Sequence, residues 1–382
     1  MLRYFTAGET HGKCLTVIIE GIPAGFEISI DKINNELSRR QRGYGRGGRM
    51  LIEKDRAEIL SGVRGGITLG SPIAMRIENR DWENWKDIMG TETSNGGKSV
   101  EFPRPGHADL PGGMKYGHRD LRNVLERASA RETAARVAAG ALVRQIVEPF
   151  NVSLKSRVVS IGSVFDTADT STPDFYERAA LSPVGFGDEV AAKRAMAYID
   201  DIKARGESCG GVVETVISGL PPGLGSYVHY DRKLDARLAF AIMSIQAIKG
   251  VEIGLGFMSA ERCGSEVHDE IEYRDGCYRR LTNRAGGIEG GMTNGEPVIV
   301  RAAMKPIPTL YNPLRTVSIT DKREHKASVE RSDACAVPAC SVVVEAAAAF
   351  EVTTAFLEKF GGDCREDIEA AYKVYAERIK KY

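Results

Sequence analysis

Three pairs of similar segments divide this sequence into two halves that carry the same motifs in the same order. The paired segments are residues 8–25 and 206–223, 62–72 and 287–297, and 126–130 and 330–334. The first two pairs share glycines and a proline, and the third pair opens an alanine-rich segment in each half. Recurrence in a fixed order indicates an internal duplication, which restricts the fold to two similar units. The alternative is that glycine and proline recur only because turns require them.

Hydrophobic periodicity predicts that the halves combine strands with long helices. The predicted strands cover residues 2–7, 14–21, 57–62, 72–78 and 152–162. The predicted helices cover residues 31–41, 119–148, 188–204 and 365–380, and residues 79–118 are expected to form a long ordered loop. Helices so rich in alanine, valine and leucine must be buried between layers. We therefore expect one α+β domain, a pseudo-duplicated sandwich of two antiparallel sheets around long helices, with halves of about 1–205 and 206–382.

The composition argues against several classes of partner. The chain has 382 residues with 52 Lys+Arg and 52 Asp+Glu, so no net charge draws it toward nucleic acid or a membrane surface. No apolar run approaches the roughly 20 residues that span a bilayer, and the N-terminus lacks a basic-then-apolar signal pattern. The seven cysteines include no Cys-x-x-Cys pair. We expect a cytoplasmic protein with reduced cysteines and no metal site.

A short segment after the first predicted helix is rich in arginine and glycine. Its arginines are Arg39, Arg40, Arg42, Arg46 and Arg49. Gly43, Gly45 and Gly48 fit a Gly-x-Gly-x-x-Gly pattern, but the dinucleotide-binding version lies between a strand and a helix. Two further interpretations are an RNA-binding segment, although such segments are usually long and repetitive, and a solvated basic loop. Mutual repulsion among the arginines favours a fourth, an anion pocket, because a bound polyanion would relieve it.

Two histidines lie in turns that contain glycine. His11 is in the Gly-Glu-Thr-His-Gly motif at residues 8–12, and its counterpart in the second half is Cys209. His107 is in the Arg-Pro-Gly-His-Ala-Asp motif at residues 104–109, next to a basic stretch. An imidazole exchanges a proton near neutral pH, and neither motif has the spacing of metal ligands. Proton transfer is one interpretation of these histidines, and ordinary polar turns are the other.

Together these motifs resemble those of the chorismate synthase family, and the resemblance covers nearly the whole chain. The matching segments are residues 8–12, 43–50, 104–109, 127–133, 206–211, 244–256, 283–297 and 330–338. Thr10 and Ala128 stand where serines are common in the family, and both are small. The resemblance implies the family's sandwich fold, a homotetramer and the seventh step of the shikimate pathway. In that step, phosphate is eliminated from 5-enolpyruvylshikimate 3-phosphate in a 1,4-anti sense to give chorismate, and reduced FMN is required.

The resemblance also implies a role for each matching residue. His11 would protonate the departing phosphate, His107 would stabilise the reduced flavin, and Asp333 would help to remove the C-6 proton. The substrate's phosphate and carboxylates would be held by Arg40, Arg46, Arg49 and Arg131. FMN would be held by Arg127, Ala128, Ser129, Gln246, Ala247, Gly291, Lys305, Pro306, Ile307, Pro308, Thr309 and Arg331.

The source of reducing equivalents is a separate expectation. The resemblance makes Arg40 and Arg46 NADPH-binding positions as well, although the same arginines must serve the substrate. No separate nucleotide-binding unit is visible in the sequence, so we expect an external flavin reductase. The competing hypotheses are an RNA-binding protein that uses the arginine–glycine segment and a structural oligomer whose glycine motifs are only turns.

Overall fold

The computed structural model describes residues 1–48, 52–92, 94 and 97–382. Its first sheet is antiparallel and has the strand order β1-β2-β6-β3. These strands are β1 (Arg3–Ala7), β2 (Cys14–Glu20), β3 (Ala57–Ile59) and β6 (Ile73–Glu78), and a small hairpin joins β4 (Val63–Arg64) to β5 (Ile67–Thr68). Leu15, Val17 and Ile19 are buried and alternate with more exposed residues, because successive strand side chains point to opposite faces.

The second sheet is also antiparallel, with the order β10-β15-β9-β7-β8. Its strands are β7 (Ser153–Ile161), β8 (Val164–Phe165), β9 (Gly211–Ser218), β10 (Ile248–Ile253) and β15 (Val298–Met304). Strands β7 and β8 of this sheet come from residues 1–205. Three further hairpins lie in residues 206–382: β11–β12 (Ile271–Arg274 and Cys277–Arg280), β13–β14 (Ile288–Glu289 and Met292–Thr293) and β16–β17 (Arg315–Val317 and Glu324–Lys326).

Helices fill the space between the two sheets. The helices are α1 (Ile30–Gln41), α2 (Asp109–Tyr116), α3 (Arg122–Ala128), α4 (Thr133–Val147), α5 (Phe175–Leu181), α6 (Glu189–Ala204), α7 (Leu234–Met243), α8 (Val337–Phe360) and α9 (Arg365–Lys380). The first sheet packs on α4 and the second on α8, and these two helices pack on each other. The predicted α+β sandwich of two antiparallel sheets around long helices is therefore confirmed.

Helices α4 and α8 approach closely because α4 has a glycine at the contact. A Cβ atom added to Gly140 would lie 2.4 Å from the carbonyl oxygen of Ala346 and 2.6 Å from its Cα atom. Among the described residues, α8 is the one helix that is long and apolar enough to cross a membrane. However, 89% of its most apolar window is buried inside the protein, so α8 is a core helix.

The structure corrects three details of the predicted elements. The helix predicted over 119–148 is broken, because Ser129 has an extended backbone and its hydroxyl accepts a hydrogen bond from the backbone N–H of Arg131. The predicted loop over 79–118 contains a 3₁₀ turn at Arg80–Asn84 and helix α2, which ends at the left-handed Gly117. The strand predicted over 57–62 is shorter, since pairing stops at Ile59.

Two threonines, one in each half, make the same pair of hydrogen bonds. The Thr68 hydroxyl donates to the carbonyl of Pro23 at 2.7 Å and accepts from the backbone N–H of Phe26 at 2.9 Å. The Thr293 hydroxyl donates to the carbonyl of Pro221 at 2.7 Å and accepts from the backbone N–H of Leu224 at 2.8 Å. The β4–β5 hairpin therefore holds the loop after β2, and the β13–β14 hairpin holds the loop after β9, through the same pair of bonds.

Candidate active site

A cavity of about 430 Å³ lies where segments from both halves meet. Its wall comprises the β1–β2 turn, the segment after α1, the segment before α2, the α3–α4 junction, the segments before β10 and after β15, and the segment before α8. Small-molecule sites commonly have volumes in this range. The predicted site residues that line it are His11, Arg40, Arg46, His107, Ala128, Ser129, Arg131, Gln246, Ala247, Lys305, Ile307, Pro308, Thr309, Arg331 and Asp333.

The other predicted site residues lie outside the cavity wall or outside the described residues. The Arg127 guanidinium donates to the carbonyls of Thr6 and Gly8. Pro306 lies between two wall residues, and Gly291 lies in the β13–β14 hairpin, where its carbonyl accepts from Leu234. Arg49 falls outside the residues that the structure describes.

His11 is buried, and a carboxylate and an indole fix its ring. Glu126 on α3 accepts from the backbone N–H of His11 through Oε2 at 2.8 Å, and its Oε1 lies 2.8 Å from the His11 Nδ1. The ring of Trp85 stacks on the imidazole at a centroid distance of 3.8 Å. The Asn79 amide donates to the carbonyls of Glu9 and Gly12 and thereby holds the turn itself.

The protonation of Glu126 determines which nitrogen of His11 carries hydrogen. Burial opposes ionisation of Glu126, but its hydrogen bonds from His11, the charge of a protonated His11 and the charge of Arg122 outweigh burial and lower the pKa of the carboxyl. An ionised carboxylate can only accept hydrogen bonds, so the contact at 2.8 Å requires a hydrogen on the His11 Nδ1. The other ring nitrogen, Nε2, is then the one that can exchange a proton with a bound molecule.

His107 has a similar arrangement. Its Nδ1 lies 2.6 Å from Oδ1 of Asp109, and Arg104 donates to both oxygens of the same carboxylate. Burial opposes ionisation of Asp109, but the hydrogen bonds and charges of His107 and Arg104 hold its pKa well below the usual range. Arg104 also donates to the Thr309 hydroxyl at 2.8 Å, which links the histidine motif to the segment after β15.

The cationic part of the wall is rigid because its arginines have protein partners. Arg131 donates to both oxygens of Asp55 at 2.7 Å and to the Asn79 side-chain oxygen. Arg40 donates to the Thr133 hydroxyl and the Ala130 carbonyl. Burial lowers the pKa of Arg40 to about 10 against the opposing charge of Asp55, so this guanidinium is still charged at neutral pH. Within the arginine–glycine segment, Arg40 is buried, so its guanidinium is not available to an RNA backbone at the surface.

Asp333 also lines the cavity. In the third pair of similar segments, it occupies the position that matches Ser129. Its Oδ1 accepts from the backbone N–H of Gly47 at 2.6 Å, and its Oδ2 lies 3.3 Å from Nε of Arg46. A side chain at Gly47 would lie 2.7 Å from the carbonyl of Ser332, so glycine permits this close approach. The arginine–glycine segment therefore positions a carboxylate at the cavity.

Three further lining residues, Gln246, Ala247 and Lys305, have features that suit a bound ligand. The side-chain oxygen of Gln246 is buried and has no hydrogen-bond partner among the described residues. Ala247 adopts a left-handed backbone conformation with φ +69, which costs energy for a residue with a Cβ atom. Lys305 contacts the carbonyl of Gly106, and burial together with the charge of Lys249 lowers the pKa of Lys305.

Sequence reasoning did not select several residues that shape the site. Glu126, Trp85 and Asn79 fix the His11 turn, whereas Asp109 and Arg104 fix His107. Arg104 and Asp109 were in the motif that contains His107, so their proximity was available as a signal. Glu126 opens the third pair of similar segments, but its contact with His11 spans a long sequence separation, and no local pattern identifies Asn79. No group of three or more metal-ligating side chains occurs within the described ranges.

Comparisons with known proteins give a consistent assignment. The family model for chorismate synthase matches residues 2–357. The chorismate synthase of Pelobacter propionicus is 55% identical over 100% of both chains, and that of Bacillus subtilis is 54% identical over 98% of this chain and 100% of the relative. A crystal structure of a chorismate synthase matches with a TM-score of 0.82 at 46% identity, covering 100% of this chain and 99% of that one. The chain therefore belongs to the chorismate synthase family.

Proposed function

We propose that the cavity between the two halves is where this chain, a carbon–oxygen lyase of the shikimate pathway, eliminates phosphate from 5-enolpyruvylshikimate 3-phosphate. The observation that carries the proposal is that His11 and His107, each held through Nδ1 by a buried carboxylate, line one cavity together with arginines and Asp333. The cations suit a substrate with one phosphate and two carboxylates, and the histidines suit proton transfer.

His11 is the proposed general acid. With Nδ1 committed to Glu126, a protonated His11 would deliver its Nε2 proton to an oxygen of the departing phosphate. The nearly parallel stacking on Trp85, with an interplanar angle of 18°, keeps the ring in one orientation. A group fixed in this way loses little freedom when the substrate binds, which favours transfer.

Arg40, Arg46, Arg49 and Arg131 are the proposed anion-binding residues. Arg131 and Arg40 are fixed by Asp55, Asn79 and Thr133, so they would meet the substrate as preorganised charges. Asp333 is proposed to help to remove the C-6 proton, acting with the flavin, because its carboxylate lines the cavity and is held by Gly47 and Arg46.

The wall also fits the flavin that the family's reaction requires. The unpartnered oxygen of Gln246 would accept from an N–H of the isoalloxazine edge, and the strained backbone at Ala247 permits close approach of a flat ring. Lys305 supplies a positive charge for an anionic cofactor, and His107 would stabilise the reduced form. When bound, reduced FMN supplies electron density to the substrate's allylic system as phosphate leaves. The other proposed contacts on the wall are Ala128, Ser129, Ile307, Pro308, Thr309 and Arg331.

Arg127, Pro306 and Gly291 complete the set expected from the family resemblance, and we propose that they shape neighbouring backbone. Arg127 holds the carbonyls of Thr6 and Gly8 at the start of the His11 turn. We propose that a separate flavin reductase reduces the cofactor, because Arg40 and Arg46, the positions expected for NADPH, line the same cavity and are proposed to bind the substrate.

We also propose that the protein is a cytoplasmic homotetramer and that each chain is one domain made of two similar halves. Phe240 is 78% exposed and Phe257 77% exposed, which supports a surface that further copies cover. The cysteines of the described chain are all free, which supports a reducing compartment. The matching bonds of Thr68 and Thr293 support two similar halves, about 1–205 and 206–382.

An anaerobic assay tests the proposed function. The protein is mixed with reduced FMN and 5-enolpyruvylshikimate 3-phosphate, and chorismate absorbance is followed together with released phosphate. We expect equal amounts of both products, and no turnover with oxidised FMN in the absence of a reductant. Folded protein that gives no turnover with reduced FMN would contradict the proposal.

A further inference from the structure

Glu126 is a buried carboxylate that does not line the cavity, yet it makes two polar contacts to His11. Its Oε1 lies 2.8 Å from Nδ1 and its Oε2 accepts from the backbone N–H of the same residue. Its side chain has no exposed surface. Glu126 is not among the residues that line the cavity, so it would act on the reaction through the residues that it contacts.

A second contact fixes the carboxylate in turn. Arg122, one turn earlier on α3, donates from Nη1 to Oε1 of Glu126 at 3.1 Å and from Nη2 to Glu330 at 2.9 Å. Glu330 lines the cavity and lies in the segment that contains Asp333. Arg122 therefore connects the carboxylate that holds His11 with the segment that holds the proposed proton acceptor.

We propose that Glu126 is a positioning residue that sets the tautomer of His11. It keeps hydrogen on Nδ1, directs Nε2 toward the cavity and stabilises the imidazolium that donates to the departing phosphate. The proposal rests on the proposed role of His11. Arg122 supports it by holding the carboxylate in one rotamer and by compensating its buried charge.

Glu126→Gln removes this function while conserving shape. The carboxylate accepts from three donors, which are His11 N–H, His11 Nδ1–H and Arg122. An amide has one accepting oxygen, so its NH₂ group must face either the backbone N–H or Nδ1. The second arrangement requires Nδ1 to accept, which moves the hydrogen to Nε2 and reverses the tautomer.

The first measurement uses the unaltered protein and does not depend on turnover. The protein is labelled with ¹⁵N at its histidine rings, and the His11 signals are assigned by their loss in His11→Ala. We expect neutral His11 to show hydrogen on Nδ1. A neutral ring with hydrogen on Nε2 would overturn the proposal even if the enzyme is active, whereas a failure of the proposed function would show as no turnover.

The second measurement is the kinetics of variants in the anaerobic assay. We expect Glu126→Gln to lower kcat by roughly 10²–10⁴-fold while KM changes by less than about threefold, as for a lost or misoriented acid. Glu126→Asp keeps a carboxylate and should recover at least about tenfold of that loss. The matched control is Glu214→Gln, because Glu214 is also buried and holds two arginines, Arg157 and Arg301, at a site away from the cavity.

Two outcomes of the kinetic experiment would overturn the proposal. One is a folded Glu126→Gln enzyme whose kcat is within about threefold of the unaltered enzyme. The other is a loss in Glu214→Gln as large as in Glu126→Gln, since this would assign the effect to the loss of any buried carboxylate. If Glu126→Gln does not fold, the tautomer measurement on the unaltered protein and the Glu126→Asp kinetics still decide.

Discussion

The turn at residues 8–12 and its counterpart at residues 206–210 have similar sequences but different contacts. In the first turn, His11 binds the buried carboxylate of Glu126 and stacks on Trp85. In the second turn, the buried Cys209 donates its backbone N–H to the carbonyl of Ala334. The β4–β5 and β13–β14 hairpins, by contrast, make the same threonine bonds in both halves. The shared bonds fix backbone, and the proposed chemistry lies where the turns differ.

The third pair of segments shows the same division. Glu126 and Glu330 occupy matching positions, and Arg122 bridges the two. Only Glu126 holds a histidine, whereas Glu330 lines the cavity. Ser129 breaks a helix where its counterpart, Asp333, presents a carboxylate to the cavity. The same sequence pattern therefore supplies a residue that holds His11 in the first half and residues that line the cavity in the second half.

The largest difference between the turns should appear when each central residue is truncated. We expect His11→Ala to lower kcat by roughly 10²–10⁴-fold, because the proposed acid is lost. Cys209→Ala should stay within about threefold, since no proposed step uses the thiol. The anaerobic assay measures both. Comparable losses in the two variants would show that the turns differ in sequence but not in role.

A second large effect is expected at Asp333. Asp333→Asn keeps an acceptor for the backbone N–H of Gly47 but removes the charge that would take up the proton. We expect kcat to fall by roughly 10²-fold or more. Asp200→Asn is the control, because Asp200 is exposed and only accepts from the Tyr44 hydroxyl. A kcat for Asp333→Asn close to that of the control would remove Asp333 from the mechanism.

The shared threonines should have equal effects on stability. Thr68→Val and Thr293→Val each leave a buried backbone N–H and a buried carbonyl without their partner. We expect each to lower the free energy of unfolding by about 1–3 kcal/mol. Urea unfolding of the two variants measures this directly. A large loss in only one of them would show that the hairpins do not play equivalent structural roles.

The smallest expected effect is a dependence of stability on acid. The pKa values of Asp109 and Glu126 in the first half and Glu214 in the second are lowered on folding. Their contribution is present above the unfolded pKa of about 4 and is lost as pH falls through the lower folded values. Thermal unfolding should therefore show a falling Tm below about pH 4. A Tm that rises on acidification would contradict this sign.

Local sequence predicted the main strands and helices of the first half and the C-terminal helix, because periodicity is a property of neighbouring residues. The C-terminal helix runs over Arg365–Lys380 as expected, and Ile368 is buried on its predicted apolar face. The break at Ser129 was missed, because the alanine-rich composition continues across it. The partners of Arg131 were also missed, because Asp55 and Asn79 are distant in sequence and only the fold brings them together. Local sequence could therefore predict that Arg131 belongs to the site, but not which residues hold its side chain.

The absent side chain of Gly140 has a consequence for the width of the cavity. The segments just before α4 and just before α8 both line the cavity, and the two helices pack on each other, so the separation of these helices affects the spacing of the two segments. A methyl group at Gly140 would meet backbone of Ala346, which cannot rotate away as a flexible side chain could. The spacing of these lining segments thus depends on Gly140, a buried residue that does not line the cavity.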